Sequence, residues 1–143
     1  MKIRYVKGDL FEGPEKVLFH GCNAHGVMGA GVAAVVRDQY PPAYMVYKQQ
    51  HRLDGLRLGT VTVYEGPDKT IVNGITQDSY GINGRFVDYD AVRSCIQILN
   101  REYSNQDVSM PMIGAGLGGG DWDIIAEIIE DESTQFQPVV YQL

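Results

Sequence analysis

Apolar positions fall into two alternating patterns along the chain, short β-type runs and longer stretches of helical period. Ile3 to Val6 is a brief β-prone run closed by Lys7-Gly8-Asp9. Lys16-Val17-Leu18-Phe19-His20-Gly21 is almost continuously apolar, as a strand buried on both faces must be. Thr60 to Tyr64 alternates like a half-buried strand, Gly66-Pro67-Asp68-Lys69 is turn chemistry, and Thr70 to Thr76 returns, which predicts a hairpin. Val108 to Ile113 and Pro138 to Leu143 complete the predicted strands. Between them, Val32 to Arg37 has helical character and should stop near Tyr40, because a residue before proline resists the α conformation. Pro41-Pro42 can open a second helix carrying Tyr44, Met45, Tyr47 and Lys48. Tyr80 to Gly84 reads as a loop. Asp88 is positioned to cap a helix whose apolar face is Ala91, Val92, Cys95, Ile96 and Leu99. Asp121 caps a last helix with Trp122, Ile124, Ile125, Ile128 and Ile129. The helix tyrosines and Trp122 are expected in the core.

Strands alternating with helices predict an α/β layered fold, a largely parallel sheet with helices on both faces. The 143 residues suit one domain, 1–143, with no internal repeat, low-complexity segment or linker. The formal net charge of −6 argues against stable nucleic-acid binding through a basic face. It leaves open a small anion held by backbone N–H groups. The only cysteines are Cys22 and Cys95, with no CxxC pair and no zinc-like Cys/His spacing, so no metal or cofactor is expected. Two lone thiols, a strand-like N-terminus and no apolar run near the ~20 residues of a membrane span predict a cytoplasmic protein without a membrane partner. A monomer is expected.

Composition changes this picture at one point. There are 17 glycines, against about 10 for an average chain of this length, and they cluster. Phe19-His20-Gly21-Cys22-Asn23 leads into Gly26-Val27-Met28-Gly29-Ala30-Gly31 and then a helix. Met110-Pro111-Met112-Ile113 leads into Gly114 through Gly120 and then a helix. Ligands of open α/β sheets sit beyond the carboxyl ends of the strands, where glycine lets backbone N–H groups approach closely. Two such loops suggest two walls of one cleft, suited to a diphosphate and its sugar. Neither loop is a P-loop or a dinucleotide fingerprint.

Taken together, Gly8-Asp9-Leu10-Phe11, His20-Gly21-Cys22-Asn23 with the first glycine loop, and Met110 to Gly116 resemble the macro domain family in this order over essentially the whole length. The resemblance implies a three-layer α/β/α fold with a mixed, mostly parallel six-stranded sheet, and ADP-ribose as ligand. It implies ligand contacts from Gly8, Asp9 and Leu10, with Asp9 accepting from the adenine amino group. In the first loop it implies Asn23 toward the distal ribose, with Gly26, Val27, Met28, Gly29, Ala30, Gly31 and Val32. In the second it implies Ile113, Gly114, Ala115, Gly116, Leu117, Gly118 and Gly119. Gln77 and Tyr80 are candidates for the rim.

The His-Gly-Cys-Asn run is similar to the ADP-ribose 1''-phosphate phosphatase branch, which has many small phage-encoded members and so implies a host cytoplasm. Gly-Gly-Gly-Asp-Trp also resembles DNA ADP-ribosyl glycohydrolases. Related glycohydrolases carry a lysine after the fourth strand and an aspartate in the second loop. Here the first region reads Ile75-Thr76-Gln77-Asp78-Ser79-Tyr80-Gly81, and Gly118 occupies the second position. The expected activity is therefore hydrolysis of ADP-ribose 1''-phosphate to ADP-ribose and phosphate. The alternatives are a non-catalytic ADP-ribose module and an ADP-ribosyl hydrolase acting on protein or DNA. Catalytic candidates are His20, Asn23 and Asp121. Each has a plainer reading: a satisfied core histidine, a turn asparagine and a helix cap. His25 is a second-choice histidine, and His51, in a polar stretch, is expected on the surface.

Overall fold

In the computed structural model, residues 1–79, 86–116 and 118–143 are described. The elements run β1 (Arg4–Lys7), a 3-10 turn (Leu10–Glu12), β2 (Val17–Asn23), α1 (Gly31–Gln39), α2 (Pro41–Leu53), β3 (Val61–Glu65), β4 (Thr70–Gln77), α3 (Tyr89–Glu102), β5 (Asp107–Met110), α4 (Trp122–Glu132) and β6 (Gln137–Gln142). The six strands form one sheet in the order β1-β6-β5-β2-β4-β3. Every neighbour pair is parallel except the β3–β4 hairpin.

The period of two in β2 divides the core. Val17 and Phe19 pack on the α3/α4 face, with Val92, Ile96, Leu99, Ile125 and Ile129. Leu18 and Cys22 point to the α1/α2 face, with Val36, Ala43, Tyr47, Ile71 and Ile75. A strand covered on both sides needs this uninterrupted apolar run. The predicted face of α3 is buried at all five positions, and Asp88 accepts from the Ala91 N–H as its cap.

Three expectations need correction. β5 ends at Met110, short of Ile113, because Pro111 has no N–H to continue the ladder. Trp122 on α4 is only half-buried, its indole N–H donating 3.1 Å to the hydroxyl of exposed Tyr5. Of the α2 tyrosines, Tyr47 is fully buried and Tyr44 is not.

β2 and β5 are parallel neighbours, and each runs directly into a glycine loop. The topology therefore sets both loops side by side above the carboxyl ends of two adjacent strands, where open α/β sheets bind ligands.

Candidate functional site

A cleft of about 600 Å³ opens between the two loops. Asn23, Val27, Gly29, Ala30, Gly31 and Val32 line one wall, and Ile113, Gly114, Gly116 and Gly118 the other, with Gln77 between. Gly21, Cys22, Ala33, Pro111 and Met112 also line it and were not anticipated. Among the described residues no Lys, Arg, Asp or Glu side chain lines the cleft. Its polarity comes from the backbone, His20, Asn23 and Gln77, whose amide nitrogen donates 2.7 Å to the Ser79 carbonyl.

The helix that starts in this cleft is built differently from α3 and α4. Those two carry aspartate caps, Asp88 and Asp121, each accepting a first-turn N–H. At α1 the capping position is Ala30, which offers no side-chain oxygen, and no acid sits in the first turn. The first intrahelical bond runs from Ala34 N–H to the Ala30 carbonyl, 3.3 Å. The N–H groups of Gly31, Val32 and Ala33 thus precede any helical acceptor, and all three residues line the cleft. Uncapped amides at the positive end of a helix form an anion site. Gly31 has φ +60°, a left-handed conformation that suits glycine and turns the chain into this helix.

Side chains hold the first loop. Asn23, 7% exposed, accepts at Oδ1 from the His25 N–H (2.9 Å) and the Val27 N–H (3.4 Å), and donates through Nδ2 to the Val27 carbonyl (2.8 Å). The Tyr47 hydroxyl on α2 lies 2.6 Å from the Asn23 carbonyl oxygen and 2.9 Å from Asn23 Oδ1. Arg37 reaches back from α1 to the Met28 carbonyl, 2.9 Å. His51, expected on the surface, is half-buried against Gly26, where a Cβ would stand 2.8 Å from its Nδ1. Backbone holds the second loop. Gly120 N–H donates to the Gly114 carbonyl (2.7 Å), Gly119 N–H to Gly116 (3.0 Å), and Phe86 and Val87 N–H both to Gly118 (2.7 and 3.1 Å).

His20, a catalytic candidate, lines the cleft while its ring is engaged inward. It is 1% exposed on the α1/α2 face, its Nε2 2.6 Å from Asn73 Oδ1. Asn73 spends its amide hydrogens on the Ala43 carbonyl and Thr62 Oγ1, so Oδ1 must accept and His20 must carry its proton on Nε2. Nδ1 is then a bare acceptor with Cys22 Sγ 3.7 Å away. Burial lowers the His20 pKa to about 4, against the weaker opposing pull of Asn73, so the ring is neutral at pH 7. Burial also raises the Cys22 thiol well above its usual range and keeps it protonated. The plainer reading, a satisfied core histidine, describes this geometry.

Asp121 is an exposed helix cap, accepting from the Asp123 N–H at 2.9 Å, and is not among the cleft residues. Asp9 accepts from the Phe11 N–H, 2.9 Å, capping the 3-10 turn, and does not line the cleft. Gly8 N–H donates to the Gln142 carbonyl, and Leu10 is buried in the α1/α2 core. Gly26, Ala115 and Gly119 lie in the loops without lining the cleft, and Met28 is buried in the α1/α2 core. Tyr80 and Leu117 lie outside the described residues. Among the described residues, no group of three or more His, Cys, Asp or Glu could hold a metal ion. No helix among them is long and apolar enough to cross a membrane.

The Macro domain family profile matches residues 19–129, both glycine loops included. This chain belongs to the macro domain family. A 17.5 kDa protein from the tk-vs intergenic region of Enterobacteria phage T4 is 35% identical over 98% of this macro domain and 96% of its own length. The ADP-ribose 1''-phosphate phosphatase of Candida albicans is 31% identical over 85% of this chain and 87% of that protein. A DNA ADP-ribosyl glycohydrolase of Mycobacterium tuberculosis is 28% identical over 87% of this chain but only 37% of its own length. The solved macrodomain of DarG from that organism superposes with a TM-score of 0.83 at 26% identity, covering 99% and 97% of the two chains. The macro fold, with its mixed six-stranded sheet between helical layers, is thus the fold of this protein.

Proposed function

We propose that this macro domain binds ADP-ribose between its glycine loops and hydrolyses ADP-ribose 1''-phosphate to ADP-ribose and phosphate. The observation that carries the reading is the uncapped start of α1. Three amides without helical acceptors face a cleft that no described acidic side chain lines, which suits a phosphate group. The names of the Candida albicans and Mycobacterium tuberculosis relatives support ADP-ribose chemistry.

In the proposed reaction a water adds to phosphorus, the ester bond to the distal ribose breaks, and inorganic phosphate and ADP-ribose leave. The Gly31, Val32 and Ala33 amides stabilise the charge that builds on the phosphoryl oxygens. Asn23 fixes the loop carrying them. His20 lines the cleft with its Nε2 proton committed to Asn73, which leaves the neutral Nδ1 as its open acceptor.

A second reading, a non-catalytic ADP-ribose module, is favoured by one observation. No Lys, Arg, Asp or Glu side chain among the described residues lines the cleft, and burial leaves His20, which does line it, a weak base with a pKa of about 4. Incubation with ADP-ribose 1''-phosphate, ADP-ribosylated protein and ADP-ribosylated DNA, with product identification, separates the readings. Phosphate release from the first substrate alone supports the phosphatase. Calorimetric binding of ADP-ribose without turnover supports the module, and turnover of either conjugate refutes both. Gly116 has open space where a Cβ would stand. Gly116→Val is therefore expected to stay folded by circular dichroism and to lose ADP-ribose affinity by at least about tenfold, because its methyls fill the cleft.

A further inference from the structure

We infer that Tyr47 is a positioning residue, its buried hydroxyl setting the shape of the first glycine loop and hence the grip on the distal half of the ligand. The inference rests on the ADP-ribose reading for its ligand but not for its geometry. Tyr47 is fully buried on α2, 24 positions after Asn23 in the chain. Packing alone would call for phenylalanine, because a phenol buried without a partner is costly. The hydroxyl instead stands at the root of the loop, within 2.6 Å of the Asn23 carbonyl oxygen and 2.9 Å of Asn23 Oδ1. The backbone N–H groups of Gly26 and Val27 also bear on the phenolic oxygen, favouring its ionised form. Burial outweighs them and keeps the phenol protonated.

The O–H group therefore meets the loop at its root residue, at both the carbonyl and the side chain of Asn23. Asn23 Oδ1 carries this outward, because it also accepts from His25 and Val27. Val27 lines the cleft directly. The chain of contacts runs from α2 through Tyr47 and Asn23 to the wall a ligand meets. The neighbouring groups on α2 fit the same role: His51, one turn on, packs against Gly26. Cys22, one of the titratable groups close to the phenol along with Tyr44, is held protonated by burial and supplies no charge.

Tyr47→Phe removes only the hydroxyl and keeps the ring. Amide hydrogen exchange of the unliganded variant is expected to quicken over residues 23–28 and stay unchanged in β5 and β6. ADP-ribose affinity, by calorimetry, is expected to fall about tenfold, the scale of one buried hydrogen bond lost. AMP, which carries the adenosine half and lacks the distal ribose, is expected to bind the variant as it binds the parent in NMR titrations. Unchanged exchange in the loop overturns the proposal. So does an equal loss of AMP and ADP-ribose affinity with faster exchange in β5 and β6, which makes Tyr47 an ordinary core residue. If the parent protein binds no ADP-ribose, the functional reading fails, and the exchange experiment alone decides Tyr47.

Discussion

The two glycine loops face one cleft yet are built on opposite plans. The first, after β2, is tied down by side chains that converge from elsewhere: Asn23 from its own root, Tyr47 and His51 from α2, Arg37 from α1. The second, after β5, folds back on itself through main-chain bonds, Gly120 to Gly114 and Gly119 to Gly116. A loop held by side chains is weakened by truncating them. A loop held by close backbone contact is weakened by adding atoms. Similar glycine-rich runs in the sequence thus hide different mechanical constructions, and substitutions of opposite kind should expose them.

The largest effect is expected beneath the first loop, at His20. Unfolded, this histidine titrates near 6.5; folded, near 4. Between those values the unfolded chain binds a proton that the folded chain does not. Stability is therefore whole above about pH 6.5 and is lost as pH falls toward 4, by about 3 kcal/mol. Urea unfolding at pH 7.5 and 4.5 measures this. His20→Gln should flatten the dependence over that window, and an equally steep loss in the variant would clear the buried ring of responsibility.

Next comes the direct contrast between the loops. In Gly114→Ala the new Cβ lies 2.7 Å from Val87 Cγ2, at a φ of +72° that disfavours alanine. A loss of about 2–3 kcal/mol is expected. Asn23→Ala adds nothing but leaves the Val27 carbonyl and the His25 N–H without their partner, which should cost about 1–2 kcal/mol. Denaturant midpoints of both variants test the pair. A neutral Gly114→Ala would break the proposed distinction.

The smallest stability effect is expected away from both loops. Asp121→Ala removes the α4 cap and should cost about 1 kcal/mol. ADP-ribose affinity should not change, since Asp121 does not line the cleft. A large drop in affinity at unchanged thermal stability would return Asp121 to the site.

Periodicity carried the fold. The apolar face of α3, the caps Asp88 and Asp121, and the β3–β4 hairpin were all legible, because each is fixed by residues within a few positions of one another. β5 was read too long because apolar Met112 and Ile113 outweighed Pro111. The cleft was legible as two glycine loops, since the ends of parallel strands coincide in space. The ties within it were not. Tyr47 reads as a core tyrosine at helical spacing, and nothing nearby in the chain marks Asn23 as its partner. His51 sits among polar neighbours, so its contact with Gly26 depends wholly on how α2 lies against the loop. Asn73, which fixes the proton on His20, is separated from it by 53 positions.

Among the described residues no cationic side chain lines the cleft, and this bears on how a ligand arrives. The chain carries a formal charge of −6, and amide dipoles act only at short range. An anionic ligand such as ADP-ribose therefore approaches against a repelling field and is gripped only on contact. Added salt should screen that repulsion and raise the association rate by a few-fold, whereas sites built from lysine and arginine lose rate as salt rises. Stopped-flow mixing with ADP-ribose across a range of ionic strengths reads this slope directly. A rate that falls with salt would point to a positive field that the cleft-lining residues do not account for.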